Sequence, residues 1–358
     1  MENSQYIFII YSVFSISIVL FSLLMNAILL KFITNLGIRG KDQPVIRWSS
    51  VAKPAIGGLS LYVAFLLSTA CYAIFFPANP LFHDTQALGV IGATALAFLM
   101  GLADDAYNTK PWLKFFIQVL CGFLLIGSGN YIHFFEQEFL NYGLTILWII
   151  GIMNSINMLD NMDGITATVS IFILLICLSF LASHGAYETF DFIVILGVLS
   201  ALIAFLFFNW HPSKMFMGDT GSQFLGMFIA AMAIKYIWNS TTLQGTTNSM
   251  QQITTVIMAF ILPIIDTTSV VINRLARKQS PFIGGKDHTT HHLSYLGLSD
   301  GRVGFVFLGI SVVSLIICVG IFRFIDTWRW YHSAVLLTYF FIVFGVLYSF
   351  TQMNKDKR

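Results

Sequence analysis

Charge is scarce in this chain of 358 residues: Asp, Glu, Lys and Arg together make up 10%. Hydrophobic residues reach 57% and the mean hydropathy is +0.79. A soluble domain has no interior large enough to hide that much apolar surface, so the composition excludes one. Cysteine is nearly absent as well. Cys71, Cys121, Cys177 and Cys318 are the only four. All lie in apolar stretches without C-x-x-C spacing, which excludes a disulfide framework and leaves them as small core residues. There is no H-E-x-x-H pattern, no low-complexity tract and no clear internal repeat. The first apolar stretch lacks a basic n-region and a small-residue cleavage site, so it reads as a retained helix rather than a secretory signal.

What is present is a series of long apolar runs. A hydrocarbon core of about 30 Å needs about 20 apolar residues per helix. Eleven such spans are expected, at about 6–33, 56–77, 86–103, 113–129, 141–158, 165–183, 191–208, 219–238, 252–272, 303–322 and 331–351. The predicted fold is an all-α polytopic membrane protein. With the N-terminus outside and the C-terminus cytoplasmic, sixteen of the nineteen Lys and Arg fall inside, leaving only Lys235, Arg323 and Arg329 outside. That bias fixes the expected orientation. Inside connections are then expected at about 34–55, 104–112, 157–164, 209–219 and 273–302.

Four polar islands share this inward face: GLADDAYNTKPWLK (101–114), NSINMLDNMDGI (154–165), MFMGDTGS (215–222) and GGKDHTTHHL (284–293). Ionised carboxylates near a bilayer boundary are unfavourable and usually mark function. Adjacent Asp104 and Asp105 repel, so they invite a cation, and Lys114 could return to the same surface as a phosphate partner. Asn157, Asp160 and Asp163 recur every third residue and form one drifting stripe if the segment is helical. Such oxygen acceptors and amide donors suit a hard cation or a nucleobase edge. In the third island, Asp219 sits between glycines, and a helix starting there would aim free N–H groups at an anion. His288, His291 and His292 follow Lys286 and Asp287, downstream of Arg274, Arg277 and Lys278, a set suited to pyrophosphate recognition. Lys53, before Pro54-Ala55-Ile56-Gly57-Gly58, gives a weaker cation signal. Asp266, inside the ninth span, needs a partner at its depth. Metal-dependent phosphoryl transfer between a lipidic and a water-soluble substrate is the chemistry these groups suggest. A secondary transporter is the rival class, but its groups should cluster at the bilayer midplane.

In this order the islands resemble the polyprenyl-phosphate N-acetylhexosamine-1-phosphate transferases, glycosyltransferase family 4. The combination of DD, N-x-x-D-x-x-D-G and GDTGS carries the likeness. It implies a single integral-membrane transferase domain over 1–358, in the bacterial inner membrane with its active site facing the cytoplasm. The implied reaction passes a sugar-1-phosphate from a UDP-N-acetylhexosamine to undecaprenyl phosphate and releases UMP. The implied cofactor is Mg²⁺, with Mn²⁺ as substitute. The other expected partner is the lipid bilayer, with no nucleic acid and a homodimer as candidate assembly. By motif position, Asp219 matches the metal-binding Asp, with Asn157 a second metal contact. Asp160 and Asp163 match acidic positions that line the nucleotide site, and Lys114, His288 and His291 are expected to bind substrate as well. Asp104 and Asp105 match the acidic pair near the lipid phosphate, and either single displacement or a covalent intermediate is compatible with them. Thr290 stands where many relatives carry His, and Ala55 where many carry Thr. The islands favour UDP-N-acetylglucosamine, with UDP-N-acetylmuramoyl-pentapeptide as the alternative donor.

Overall fold

The computed structural model describes residues 2–36, 53–78, 81–241, 245–281 and 284–353, with side chains in the first helix described over 8–32. Most of the expected 34–55 connection, with Arg39, Lys41 and Arg47, lies outside the described residues, as do Lys355, Lys357 and Arg358. Among these described residues, thirteen α-helices follow in order. They are α1 (Glu2–Leu36), α2 (Gly57–Phe75), α3 (Thr85–Tyr107), α4 (Pro111–Gly127), α5 (Glu138–Leu159), α6 (Ile165–Ser183) and α7 (Phe190–Asn209). The rest are α8 (Gly218–Ala233), α9 (Ser249–Ala259), α10 (Ile261–Ala276), α11 (Thr289–Tyr295), α12 (Asp300–Phe324) and α13 (Trp330–Met353). Among the described residues, eight helices are long and apolar enough to cross a membrane, and the bent α9–α10 pair makes up to nine. The chain is thus a polytopic helical membrane protein.

Three expected spans differ from the simple picture. The segment at 113–129 is a 17-residue helix, α4, started by Pro111 at its first position, where a missing N–H does no harm. The segment at 219–238 is α8 followed by a π-helical turn, Ile234–Trp238. The segment at 252–272 is not one helix: α9 and α10 meet at 77°. Phe260 leaves helical geometry (φ −107°, ψ 23°), and Pro263 lacks the N–H that an uninterrupted helix would use.

The α8 helix forms the axis of the bundle. Every residue from Thr220 to Ala233 is buried, against α2, α3, α5 and α6. Outward faces are apolar where lipid would lie: Phe8, Leu20 and Phe32 on α1, and Phe341 and Val346 on α13, are exposed. Cys121, Cys177 and Cys318 are buried, and all four cysteines are free.

Candidate active site

The N-terminus of α8 is gripped from three sides. A short parallel bridge joins Ala55 to Phe216, with Gly57 and Gly58 N–H donating to the carbonyls of Phe216 (3.1 Å) and Met217 (2.9 Å). Gly101 of α3 lies so close that a Cβ there would sit 2.3 Å from the Asp219 carbonyl oxygen, an approach that small residues permit between membrane helices. Gly218 has φ +77°, a conformation open to glycine, and turns the chain into the helix.

Two neighbouring carboxylates of α3 then do different work. Asp105 accepts from Asp219 N (3.0 Å), Thr220 N (2.8 Å) and Thr220 Oγ1 (2.6 Å). The free N–H groups expected to meet a ligand anion are therefore capped by this side chain, which fixes α8 against α3. Asp104 faces the other way. It accepts from Thr109 N (2.8 Å) and Thr109 Oγ1 (2.6 Å) and pairs directly with Lys114 of α4. Lys114 Nζ also stands 4.0 Å from Asp219 Oδ2. Both aspartates belong to the last turn of α3, not to a 104–112 loop. From α5, Asn157 Nδ2 donates to Asp219 Oδ1 (2.6 Å) and Ser222 Oγ (2.8 Å). Side-chain exposure is 2% for Asp104, 26% for Lys114 and 35% for Asp219, so the cluster opens at Asp219.

The expected stripe through Asn157, Asp160 and Asp163 is broken, because α5 ends at Leu159 with Asp160 as its C-cap. The D-N-M-D-G sequence favours a turn over another helical turn. Asp160 is half-buried there. Asp163 turns away to Ser213, accepting from its N–H (3.0 Å) and Oγ (2.7 Å), with Lys53 Nζ at 3.4 Å and His211 Nδ1 at 3.2 Å. Burial pushes the Asp163 carboxyl up, but the Ser213 donors and Lys53 outweigh it and hold the group below its ordinary value. This latch joins the 160–164 turn to the 210–217 segment. Its partners Ser213, Lys53 and His211 are distinct from Thr109, Lys114 and Asn157, which hold Asp104 and Asp219.

The histidine island forms a second centre. His288 Nδ1 lies 2.8 Å from Asp266 Oδ2, and Thr289 donates to Asp266 Oδ1 through N (2.8 Å) and Oγ1 (2.7 Å). Asp266, fully buried on α10, thus finds the partner its depth requires. His291 packs edge-on to His288, ring centroids 5.4 Å apart. Burial, then the charge of His288, pulls the His291 pKa down to about 3. His288, His291 and His292 are all buried rather than displayed on a solvated loop. Thr290 Oγ1 donates to Asn161 Oδ1 (2.7 Å), which ties this centre to the end of α5. Arg274 and Arg277, read as pyrophosphate partners, both engage Asp287. Arg274 does so through two bonds, Nε at 3.0 Å and Nη2 at 2.7 Å. Through these bonds all four islands meet at one end of the bundle.

Residue pattern alone did not single out Thr109 and Ser213, since hydroxyls in loops carry no distinctive spacing. Among the described residues no group of three or more His, Cys, Asp or Glu could hold a metal alone. What exists is a hard-oxygen set, the partly open Asp219 carboxylate beside Ser222 and the Asn157 amide. That suits Mg²⁺, which takes one or two protein carboxylates and completes its shell with substrate phosphate and water.

The model of glycosyl transferase family 4 matches residues 87–237, a stretch containing Asp104, Asp105, Lys114, Asn157, Asp160, Asp163 and Asp219. The chain is similar to a probable undecaprenyl-phosphate N-acetylglucosaminyl 1-phosphate transferase of Bacillus subtilis, 29% identical over 278 residues, 73% of each chain. It is likewise similar to the undecaprenyl-phosphate alpha-N-acetylglucosaminyl 1-phosphate transferase of Haemophilus influenzae, 29% identical over 83% of this chain and 82% of the relative. A phospho-N-acetylmuramoyl-pentapeptide-transferase of Streptococcus sanguinis is 30% identical over 75% of this chain and 84% of its own.

Proposed function

The chain belongs to glycosyl transferase family 4, and on that premise we propose that it transfers a sugar-1-phosphate from a UDP-N-acetylhexosamine to undecaprenyl phosphate at the cytoplasmic membrane face. The observation that carries this reading is the convergence of Asp104, Lys114, Asn157 and Asp219 at adjoining helix ends. A lipid phosphate arriving from the bilayer and a nucleotide arriving from water can both reach such a boundary.

In the reaction, an oxygen of the prenyl phosphate attacks the β-phosphorus of the UDP-sugar. One P–O bond forms to the lipid phosphate, the P–O bond between the two phosphorus atoms of the donor breaks, and UMP leaves. Asp104 aligns the lipid phosphate and takes up its proton if it arrives protonated. A single displacement suffices, because the prenyl phosphate is already a competent nucleophile. Lys114, next to both Asp104 and Asp219, neutralises phosphate charge. A divalent cation held by Asp219 and Asn157, Mg²⁺ before Mn²⁺, would supply charge neutralisation on the diphosphate. Asp105 keeps the α8 N-terminus and hence Asp219 in place. His288, held by Asp266, presents its remaining ring nitrogen to the donor's diphosphate, with His291 and Asp160 beside the same nucleotide.

N-acetylglucosamine is the preferred sugar. The N-M-L-D-N-M-D-G-I and D-H-T-T-H-H-L islands support it, as does the 29% identity to the undecaprenyl-phosphate N-acetylglucosaminyl 1-phosphate transferases of Bacillus subtilis and Haemophilus influenzae. The test is a panel of UDP-sugars offered to purified protein with undecaprenyl phosphate and Mg²⁺. UDP-N-acetylglucosamine is expected to give UMP and a lipid diphosphate sugar in equal amounts. Turnover with UDP-N-acetylmuramoyl-pentapeptide alone would replace the sugar assignment, and no turnover with any UDP-sugar would overturn the reaction.

A further inference from the structure

One helical turn deeper in the bundle, three carboxamides repeat the arrangement of the reactive groups above them. Gln118 follows Lys114 by four residues on α4, Gln223 follows Asp219 by four on α8, and Asn154 precedes Asn157 by three on α5. Residues so spaced share a helix face. The helices enter the layer from the same end, since α4 and α8 begin near the site and α5 finishes there. All three amides therefore lie on the apolar side of the reactive cluster.

They bond to one another. Gln118 Nε2 donates to Gln223 Oε1 (3.2 Å), and Asn154 Nδ2 donates to Gln118 Oε1 (2.9 Å) and to the Ile150 carbonyl (2.8 Å). Gln118 and Gln223 are each 1% exposed. Gln118 thus joins α4 to both α5 and α8. The tie to α8 is informative because α4 rests mainly on α3 and α5.

Polar side chains among apolar helices are unfavourable unless fully bonded, and a well-packed apolar residue would be easier to bury. Stability alone gives little reason for three carboxamides here, since interhelical bonds of this kind contribute only weakly to the stability of membrane proteins. Directional bonds do supply rotation and depth. Turning or sliding α4 by a fraction of a turn would carry Lys114 off Asp104 and Asp219. A reacting group misplaced by about 1 Å can lose about 100-fold in rate.

We propose that Gln118, Asn154 and Gln223 form a positioning layer that sets the register of α4, α5 and α8, so that Lys114, Asn157 and Asp219 converge. None of the three touches substrate. The inference rests on the proposed transferase reaction, and wild-type turnover in the same assay tests that reading separately.

The experiment compares wild type with Gln118→Met, Gln223→Met and the double variant Gln118→Met/Gln223→Met. Methionine matches glutamine in length but makes no directional bonds. The expected result is a kcat lowered about 10- to 100-fold with the KM for the UDP-sugar within twofold. The thermal unfolding midpoint in detergent should fall slightly in each single variant, where a buried partner amide loses its bond, and no further in the double variant. The double variant should lose no more than the worse single, because both changes break the same link. Single variants with kcat within twofold of wild type would overturn the proposal. So would kcat losses that add in the double variant while its thermal midpoint falls below that of either single variant, since the amides would then be packing groups. Inactive wild type with every UDP-sugar would overturn the reaction on which the inference rests.

Discussion

Asn157 on α5 reaches Asp219 on α8 through a 2.6 Å hydrogen bond, and the same amide nitrogen reaches Ser222 one turn along. That contact orients the carboxylate assigned to metal and diphosphate, as the partners that surround metal ligands usually do. Asn157→Leu removes the orienting donor while leaving the Asp219 carboxyl in place. The expected effect is a fall in activity of about 10- to 100-fold, with a higher Mg²⁺ concentration for half-maximal rate. A Mg²⁺ titration of UMP release measures both.

Asp266 is fully buried and accepts from His288 and twice from Thr289. In Asp266→Leu those donors lose their acceptor deep in the bundle. Breaking a buried pair by removing one partner costs about 3–5 kcal/mol, so the detergent-solubilised variant should unfold at a clearly lower temperature. His288→Ala, which removes a ring but leaves Thr289 in place, should retain more stability while losing activity. Thermal scans paired with initial rates distinguish the two effects.

The latch at Asp163 makes a pH prediction. Its carboxyl titrates below its ordinary value in the folded protein, so its stabilising contribution is complete above the unfolded carboxylate range, near pH 4, and is lost as pH falls through the depressed folded value. Asp163→Asn should therefore lower the thermal midpoint at pH 7, with the difference from wild type shrinking as the pH falls below about 4. If Asp163 contacts nucleotide as well, KM for the UDP-sugar rises in parallel at pH 7.

His291, like Asp163, titrates below its ordinary value. Its folded pKa, about 3, lies below its ordinary 6.5, so between those values the unfolded chain binds the extra proton. Stability then falls as pH drops from 6.5 toward 3. His291→Gln should flatten that slope in a series of thermal scans, and an unchanged slope would place its origin elsewhere.

Much of this architecture was legible in the sequence for a physical reason. Apolar runs of membrane length and carboxylates at their ends are strong, local signals, so the helices and the meeting of Asp104, Lys114, Asn157 and Asp219 could be anticipated. Spacing was a poorer guide where turns intervene. Asn157, Asp160 and Asp163 read as a helical stripe, yet D-N-M-D-G breaks the helix at Leu159 and sends Asp163 toward Ser213. Long-range partners carried no local signal. Nothing near Asp105 announces that it caps a helix 114 residues away, and nothing near Arg274 distinguishes a phosphate ligand from the partner of Asp287.

The most direct measurement is UMP release from wild type and Asp219→Asn purified side by side, each with UDP-N-acetylglucosamine, undecaprenyl phosphate and Mg²⁺. Wild type should release UMP only when both substrates are present, and the variant should lose at least about 100-fold of that rate while eluting and unfolding like wild type. An equally folded variant with near-normal turnover at saturating Mg²⁺ would contradict a reactive centre built around Asp219.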